Sequence, residues 1–521
     1  MFDFFLSHLL SVLIFLPLLG ALILFAVPRE RTGWIRVFTL SLTVLVFLLS
    51  IPLFTQFDSD SIAFQFVEKR AWLPAIGSSY FVGIDGISLL MVLLTTLLTP
   101  LVILASWKSV EKQVKEYMIV FLVLETAMIG VFAALDLLLF YIFWEAMLIP
   151  MYFIIGVWGG VRRLYAAIKF FLFTMFGGVL MLVAILVLYY LHAGQSGVYS
   201  FSYVDLNQLL INRQTQFWLF LAFGLAFAIK VPMFPFHTWL PDAHVEAPTG
   251  GSVILAGVLL KMGSYGFLRF CLPLFPDATL QLAPWILGLA VIGIIYGALV
   301  SWVQPDLKKL VAFSSVSHMG FVMLGIFSLN VQALQGGVIQ MVNHGLSTGA
   351  LFLLVGMLYE RRHTRMIVDF GGLARPLPAF ATLFLIITLS SIGLPGLNGF
   401  VGEFLVLLGA FQTHWPYAVL AALGVILSAV YMLTMYQRVH FGKVNKEENQ
   451  SLQDLTLREK MVLAPLILFC FWIGIFPGTF LHKTETTVKH LLVTVEAKQT
   501  MNADRQGQVP MHPPALAVIE E

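Results

Sequence analysis

Six ionisable residues stand at places where an apolar polypeptide has no ordinary use for them. Glu145 lies in LLLFYIFWEAMLIPMYF, Lys230 in FWLFLAFGLAFAIKVPMFPFHTWLPDAH and Lys261 in GSVILAGVLLKMGSYGFLRF. His318 lies in SVSHMGFVML, His344 in QMVNHGLSTGALFLL and Glu403 in GLPGLNGFVGEFLVLL. Each is embedded in a stretch of membrane-spanning length, where an unpartnered charge costs several kcal/mol. The chemistry these types share is proton binding and release. A carboxylate beside an ammonium alters the proton affinity of both groups, and an imidazole titrates near neutral pH. Singly, each admits a static reading: a buried ion pair for Glu145 and Lys230, hydrogen-bonded packing for either histidine. Six in one chain point to a proton path.

The elements around them must be helices with deliberate breaks. Pro232 and Pro235 follow Lys230 directly and end its helix, and Gly396, Gly399 and Gly402 permit irregular backbone before Glu403. Irregular backbone at membrane depth is tolerated only where it is buried in protein or lines a watery cavity. The composition agrees with a polytopic helical membrane protein. The 521 residues are 59% hydrophobic and 11% charged, with a mean hydropathy of +0.90. The two cysteines, Cys271 and Cys470, are too few for a self-contained iron–sulfur cluster or cysteine-type zinc site. The chain has no dinucleotide fingerprint and no P-loop, so any redox or nucleotide chemistry would lie on partner subunits. The stretch MFDFFLSHLLSVLIFLPLLGALILFAV lacks a basic leader and reads as a retained first span.

The hydropathy pattern predicts an all-α fold of 14 spans: 5–27, 34–55, 84–106, 116–135, 137–159, 166–192, 216–238, 250–273, 282–303, 308–328, 333–360, 378–411, 416–440 and 458–481. Counted with the few flanking residues at each span end, loops after odd-numbered spans carry twenty of the thirty Lys and Arg residues, against four after even-numbered spans. That asymmetry predicts both termini on the outer side. Spans 4–8 and 9–13 form two five-helix units, each with a broken fourth helix, so the second unit is inverted relative to the first. The implied segments are 1–110 with three spans, 111–275 and 276–441 for the two repeats, 442–483 for the last span, and a polar tail at 484–521. The tail is expected to lack a fixed fold or to dock on a neighbour.

Other charged residues have more modest readings. Asp136 and Asp85 read as helix N-caps. His237, Trp239, Asp242 and His244 in HTWLPDAH either line a proton inlet or order a loop. The mixed charges of YERRHTRMIVDFGGLARPLP suit an intersubunit surface, and TGGS at 249–252 reads as a tight turn.

The strings FWEAMLIPMYF, AIKVPMFPFHTWLPDAH, LKKLVAFSSVSHMGF, NHGLSTGALFLL and LPGLNGFVGEF together resemble the antiporter-like subunits of respiratory complex I, the proton-pumping NADH:quinone oxidoreductase. The resemblance covers residues 80–480. It implies 14 helices with two inverted five-helix repeats, and a pump built from Glu145, Lys230 and Lys261. His318 and His344 would be links in a central axis. Glutamate at the second break, here Glu403, is the mark of one branch; other branches and the related cation/proton antiporters carry lysine there. The resemblance further implies no cofactor in this chain, with NADH, FMN, iron–sulfur clusters and quinone on partner subunits. Its expected partners are L-type and N-type antiporter-like subunits on either side and the lipid bilayer, with no nucleic acid. The expected location is a bacterial inner membrane. Alternatives are a subunit of a cation/proton antiporter, or of a membrane-bound hydrogenase or formate-oxidising complex.

Overall fold

A computed structural model describes residues 6–444 and 446–506. Its main helices are α1 (Leu9–Ala26), α2 (Thr32–Thr55), α3 (Gly86–Ser109), α4 (Val114–Ala133), α5 (Leu137–Trp158), α6 (Arg163–Ser196), α7 (Arg213–Lys230) and α8 (Trp239–Glu246). They continue with α9 (Thr249–Leu274), α10 (Pro276–Trp302), α11 (Leu307–Phe327), α12 (Val331–Arg362), α13 (Pro378–Ser391), α14 (Asn398–His440), α15 (Leu457–Ile475) and α16 (Gly478–Gln506). Among the described residues, 11 helices are long and apolar enough to cross a membrane, or 12 if α15 and α16 form one span bent by 69°. Helix α7 falls short because Arg213, Gln214 and Gln216 occupy its first turn; α13 is simply short.

Burial sorts these helices. In α9 and α12 the most apolar stretch is wholly buried, and α3 and α11 are nearly so. These four make the centre, and three of them carry site residues. Helices α1, α2, α6, α10 and α14 leave most of their apolar surface outward, as expected where lipid or another subunit is the neighbour. The loops rich in Lys and Arg gather at one end of the bundle, called here the basic end.

The opposite end holds a feature the all-α expectation lacked. Strands β1 (Gln65–Leu73) and β2 (Ser78–Ile84) pair antiparallel around a turn at Gly77. The segment is short, charged and flanked by long apolar runs, so hydropathy alone reads it as a connection. This hairpin end is secured by Asp136. Its carboxylate caps α5 by accepting from the Leu138 and Leu139 amides, and also accepts from Ser78 Oγ and the Ser79 amide. Asp85 caps α3 through the Ile87 and Ser88 amides.

Three expectations are corrected. TGGS is the first turn of α9, not a tight turn. Its glycines serve close approach, since a Cβ at Gly250 would lie 2.7 Å from both Tyr117 Oη and Val102. The division between residues 411 and 416 is a kink inside α14, where His414 leaves helical geometry at φ −141° before Pro416. The tail from 484 is not loose: α16 runs to Gln506 and buries Phe480, Thr484, Val488, Leu492, Val495, Gln499 and Asn502. That spacing of three and four is helical, but the polar members hid it from a hydropathy window. Thr487 Oγ1 accepts from the Gly86 amide, Lys498 Nζ donates to the Pro273 carbonyl, and Asn502 Nδ2 donates to Asp277. The helix therefore docks on its own chain. The proline-rich end of the tail lies outside the described residues.

Candidate functional site

Lys230 ends α7, and the sequence after it fixes its position. The chain leaves helical geometry at Pro232 and re-enters at α8, where Trp239 Nε1 donates to the Ile229 carbonyl at 2.9 Å. Asp242 of α8 is paired with Lys169 of α6 at 2.7 Å. The Lys230 side chain is 1% exposed. Its Nζ makes no hydrogen bond and lies 5.2 Å from the centre of the Trp144 ring and 5.5 Å from that of Phe170. Two aromatic faces thus replace water around the ammonium, an attractive but weak substitute for a counter-ion.

Glu145 is within electrostatic reach of Lys230, yet no salt bridge joins them. Its Oε1 has no hydrogen-bond partner. The residue is half-buried, on the α5 face that also carries the exposed Ile142 and Ile149. Gly178 of α6 makes room for it, because a Cβ there would lie 1.9 Å from Glu145 Oε1. The carboxylate cannot stay where it is beside alanine. Gly178→Ala is expected to reduce proton pumping by roughly tenfold with the assembled complex retained, read by acidification of proteoliposomes.

The other four residues form one connected line. Lys261 is wholly buried, and its Nζ donates to the Ala256 carbonyl at 2.5 Å and contacts His344 Nδ1 at 2.6 Å. Ala256 belongs to a π-helical turn, Leu255–Leu259, and such turns free a carbonyl from the helix ladder. The His344 and His318 rings follow at 5.9 Å between centroids. His318 Nδ1 contacts Glu403 Oε1 at 2.8 Å, and Gln340 Nε2 donates to the same oxygen at 3.0 Å. Glu403 Oε2 has no partner. A cavity of ≈10 Å³, about one water, adjoins His318, Gln340, Asn343 and His344. Gly393 and Gly396 have positive φ and turn the chain between α13 and α14 just before Glu403.

The six expected residues therefore form two groups: Glu145 with Lys230, and Lys261 through His344 and His318 to Glu403. Among the described residues no side-chain hydrogen bond joins Lys230 to Lys261. Helices α7 and α9 are nonetheless in close contact, since a Cβ at Gly263 would lie 2.6 Å from the Phe227 carbonyl oxygen.

Sequence reasoning missed three buried groups and left His244 open between a proton inlet and a loop. His244 of α8 is wholly buried and stacked on Phe352 at 4.6 Å, with both ring nitrogens unpartnered. Lys308, which the loop count placed at a surface, is 6% exposed and donates to the Ala247 carbonyl. Both lie near a cavity of ≈780 Å³ at the basic end, which Lys308 helps to line. Arg269, also counted as a loop residue, is buried in α9 and paired with Asp85 at 2.6 Å. Glu125 of α4 is 0% exposed and neither carboxylate oxygen has a partner. It sits mid-way in an apolar run, the same signal that singled out Glu145. Among the described residues, no group of three or more His, Cys, Asp or Glu side chains is arranged to hold a metal.

Comparison with known proteins places this geometry. The family described as "NADH:quinone oxidoreductase/Mrp antiporter, TM" matches residues 134–430, and "NADH-ubiquinone oxidoreductase chain 4, amino terminus" matches residues 10–132. NADH-quinone oxidoreductase subunit M of Rhodobacter capsulatus is 49% identical over 506 residues, covering 94% of this chain and 98% of that protein. NADH-ubiquinone oxidoreductase chain 4 of Arabidopsis thaliana is 48% identical over 487 residues, covering 93% and 97%. A chain of respiratory complex I from Thermus thermophilus superposes with a TM-score of 0.85 at 36% identity, covering 93% and 99%. A chain of the Mrp complex from Dietzia sp. DQ12-45-1b shares the fold, with a TM-score of 0.82 at 20% identity. With a broken helix behind Lys230, a buried Lys–His–His–Glu line and relatives matching nearly end to end, the chain belongs to the subunit M/chain 4 family of NADH:quinone oxidoreductase, proton-pumping subunits of the membrane arm of respiratory complex I.

Proposed function

We propose that protons move through this subunit along Glu145, Lys230, Lys261, His344, His318 and Glu403, driven by quinone reduction elsewhere in the complex. The observation that carries this reading is the run of contacts from Lys261 to Glu403, every member of it buried. A purely structural network has no need of four titratable groups in series; asparagine or serine would satisfy the same hydrogen bonds without the risk of a buried charge. The gap between Glu145 and Lys230 supports a variable pair. When the carboxylate is near, it favours the protonated lysine; when it withdraws, burial favours release of the proton towards Lys261.

Helices α7 and α13, the kink in α14 and the break before Glu403 fit a count of 14 spans. That count allows two inverted five-helix repeats over 111–275 and 276–441, after three N-terminal spans and before a final one. The basic loops put the basic end on the inner side of a bacterial cytoplasmic membrane and both termini outside. The ≈780 Å³ cavity beside Lys308, with His244 behind it, is then the inlet. The outward apolar faces of α5, α6, α10 and α14 suit L-type and N-type neighbours and lipid. The test is Lys261→Ala in the assembled complex reconstituted in liposomes. Proton uptake coupled to NADH oxidation is expected to fall by roughly a hundredfold. Undiminished pumping rejects the series. The Mrp likeness offers a second reading, cation/proton exchange, which pumping that tracks sodium rather than quinone turnover would favour.

A further inference from the structure

Helix α3 carries four hydroxyls on one face. Ser88, Thr95, Thr99 and Ser106 are spaced by seven, four and seven residues, and each is at most 2% exposed. Eighteen residues at 1.5 Å per residue make this stripe about 27 Å long, close to the thickness of a bilayer core. Each end joins the wall of a cavity. At the basic end Ser106 Oγ contacts Tyr117 Oη at 2.9 Å, and Tyr117 lines the ≈780 Å³ cavity. At the hairpin end Ser88 Oγ contacts Tyr265 Oη at 3.2 Å and accepts from Arg269 Nη2 at 3.1 Å. Tyr265, Arg269 and Asp85 line a second cavity of ≈100 Å³ beneath α16, with Thr487, His490 and Thr494 opposite.

Serines and threonines bonded back to the helix carbonyl are common inside apolar bundles, and Thr95 and Thr99 do bond back. The stripe alone would carry nothing. The second observation is Glu125. It is the only acid on α4 beyond the first turn. It is wholly buried and turned towards the Thr99 hydroxyl half-way along the stripe, and neither oxygen has a hydrogen bond of normal geometry. As packing it is a poor choice, because leucine or methionine would fill α4 without the cost of a buried acid.

We propose that the hydroxyl face of α3 and Glu125 form a second proton path, built from residues outside the lateral series, driven by it, and running from one face of the membrane to the other. The inference rests on the reading of this chain as a proton-pumping subunit whose lateral series drives transport. Glu125 gives its proton to a hydroxyl or water on the hairpin side and takes another from the basic-end side; only O–H bonds break and form. Each hydroxyl on the route accepts one proton as it donates one, so its own charge is unchanged. The path is shut in this structure by two apolar turns. Val102 and Ile103 separate Ser106 from Thr99, and Met91 and Val92 separate Thr95 from Ser88, all of them buried. Such a plug is what prevents a continuous leak.

The test uses the intact complex in liposomes. Glu125→Gln keeps the shape and removes the proton site. Protons moved per NADH oxidised are expected to fall at least about threefold, with recovery in Glu125→Asp. A carboxylic-acid C=O band in infrared difference spectra between resting and reduced enzyme should vanish in Glu125→Gln, which a structural role would not produce. Should Glu125→Gln fail to assemble, Thr99→Val is read instead, with the same expected fall. A parental proton ratio in the variant that assembles, or no band lost, overturns the path. Lys261→Ala run alongside separates the two ideas: loss there with a parental Glu125→Gln keeps the lateral series and removes only the second path.

Discussion

Lys230→Ala is expected to abolish most quinone-coupled proton pumping, by roughly a hundredfold or more, while the complex still assembles. The expectation follows from what surrounds the ammonium. Its neighbours are the Trp144 and Phe170 rings, which can neither accept nor donate a proton, and Glu145, which is near without touching. Alanine also leaves a void between two aromatic rings, with a packing cost of about 2–5 kcal/mol. Lys230→Met is the control, since it fills the space and removes only the proton site. Both variants should lose acidification of the liposome lumen during NADH oxidation, and both should run as intact complex on native gels. Glu145→Ala should give a similar loss, and the double variant should be little worse than either single one, because the two act as a unit. Full pumping in Lys230→Met would reject any part for this lysine in proton transfer.

Glu403→Gln is the second large effect, and it separates relay from scaffold. Glutamine keeps an oxygen for His318 and for Gln340 Nε2, so the contacts at 2.8 and 3.0 Å survive as hydrogen bonds. What it loses is a site that binds a proton at the end of the line from Lys261. Pumping is expected to fall by about a hundredfold, with little change in thermal stability in detergent. If Glu403 only tied α14 to α11 and α12, glutamine would preserve function. A variant that pumps like its parent therefore assigns the residue to architecture.

The candidate site residues were legible in the sequence because the membrane makes charge conspicuous. Glu145, Lys230, Lys261, His318, His344 and Glu403 each interrupt a long apolar run, and the structure buries all but the half-buried Glu145. The helix breaks beside Lys230 and Glu403 were equally visible, because proline and glycine act locally on the backbone. Residues near helix ends were misjudged. Lys308 and Arg269 look like loop cations, and only packing against α8 in one case and pairing with Asp85 in the other shows them to be internal. The β1–β2 hairpin and the docked course of α16 went unseen, since hydropathy windows answer to bulk apolarity and both segments are polar or mixed.

By itself, the sequence determined that this is a multi-span membrane protein with charged groups in its interior, and which groups those are. Those facts depend on composition and on local backbone rules, which act within a few residues. Only the tertiary structure decided which charges meet. His344 lies 83 residues from Lys261, and Glu403 lies 85 from His318, yet each pair is in contact. Glu145 and Lys230, expected as partners, stand apart with aromatic rings around the ammonium. Contact between distant helices is set by how small residues let their backbones approach, as at Gly178 and Gly263. That information is held by pairs of positions far apart in the chain, and no local pattern carries it.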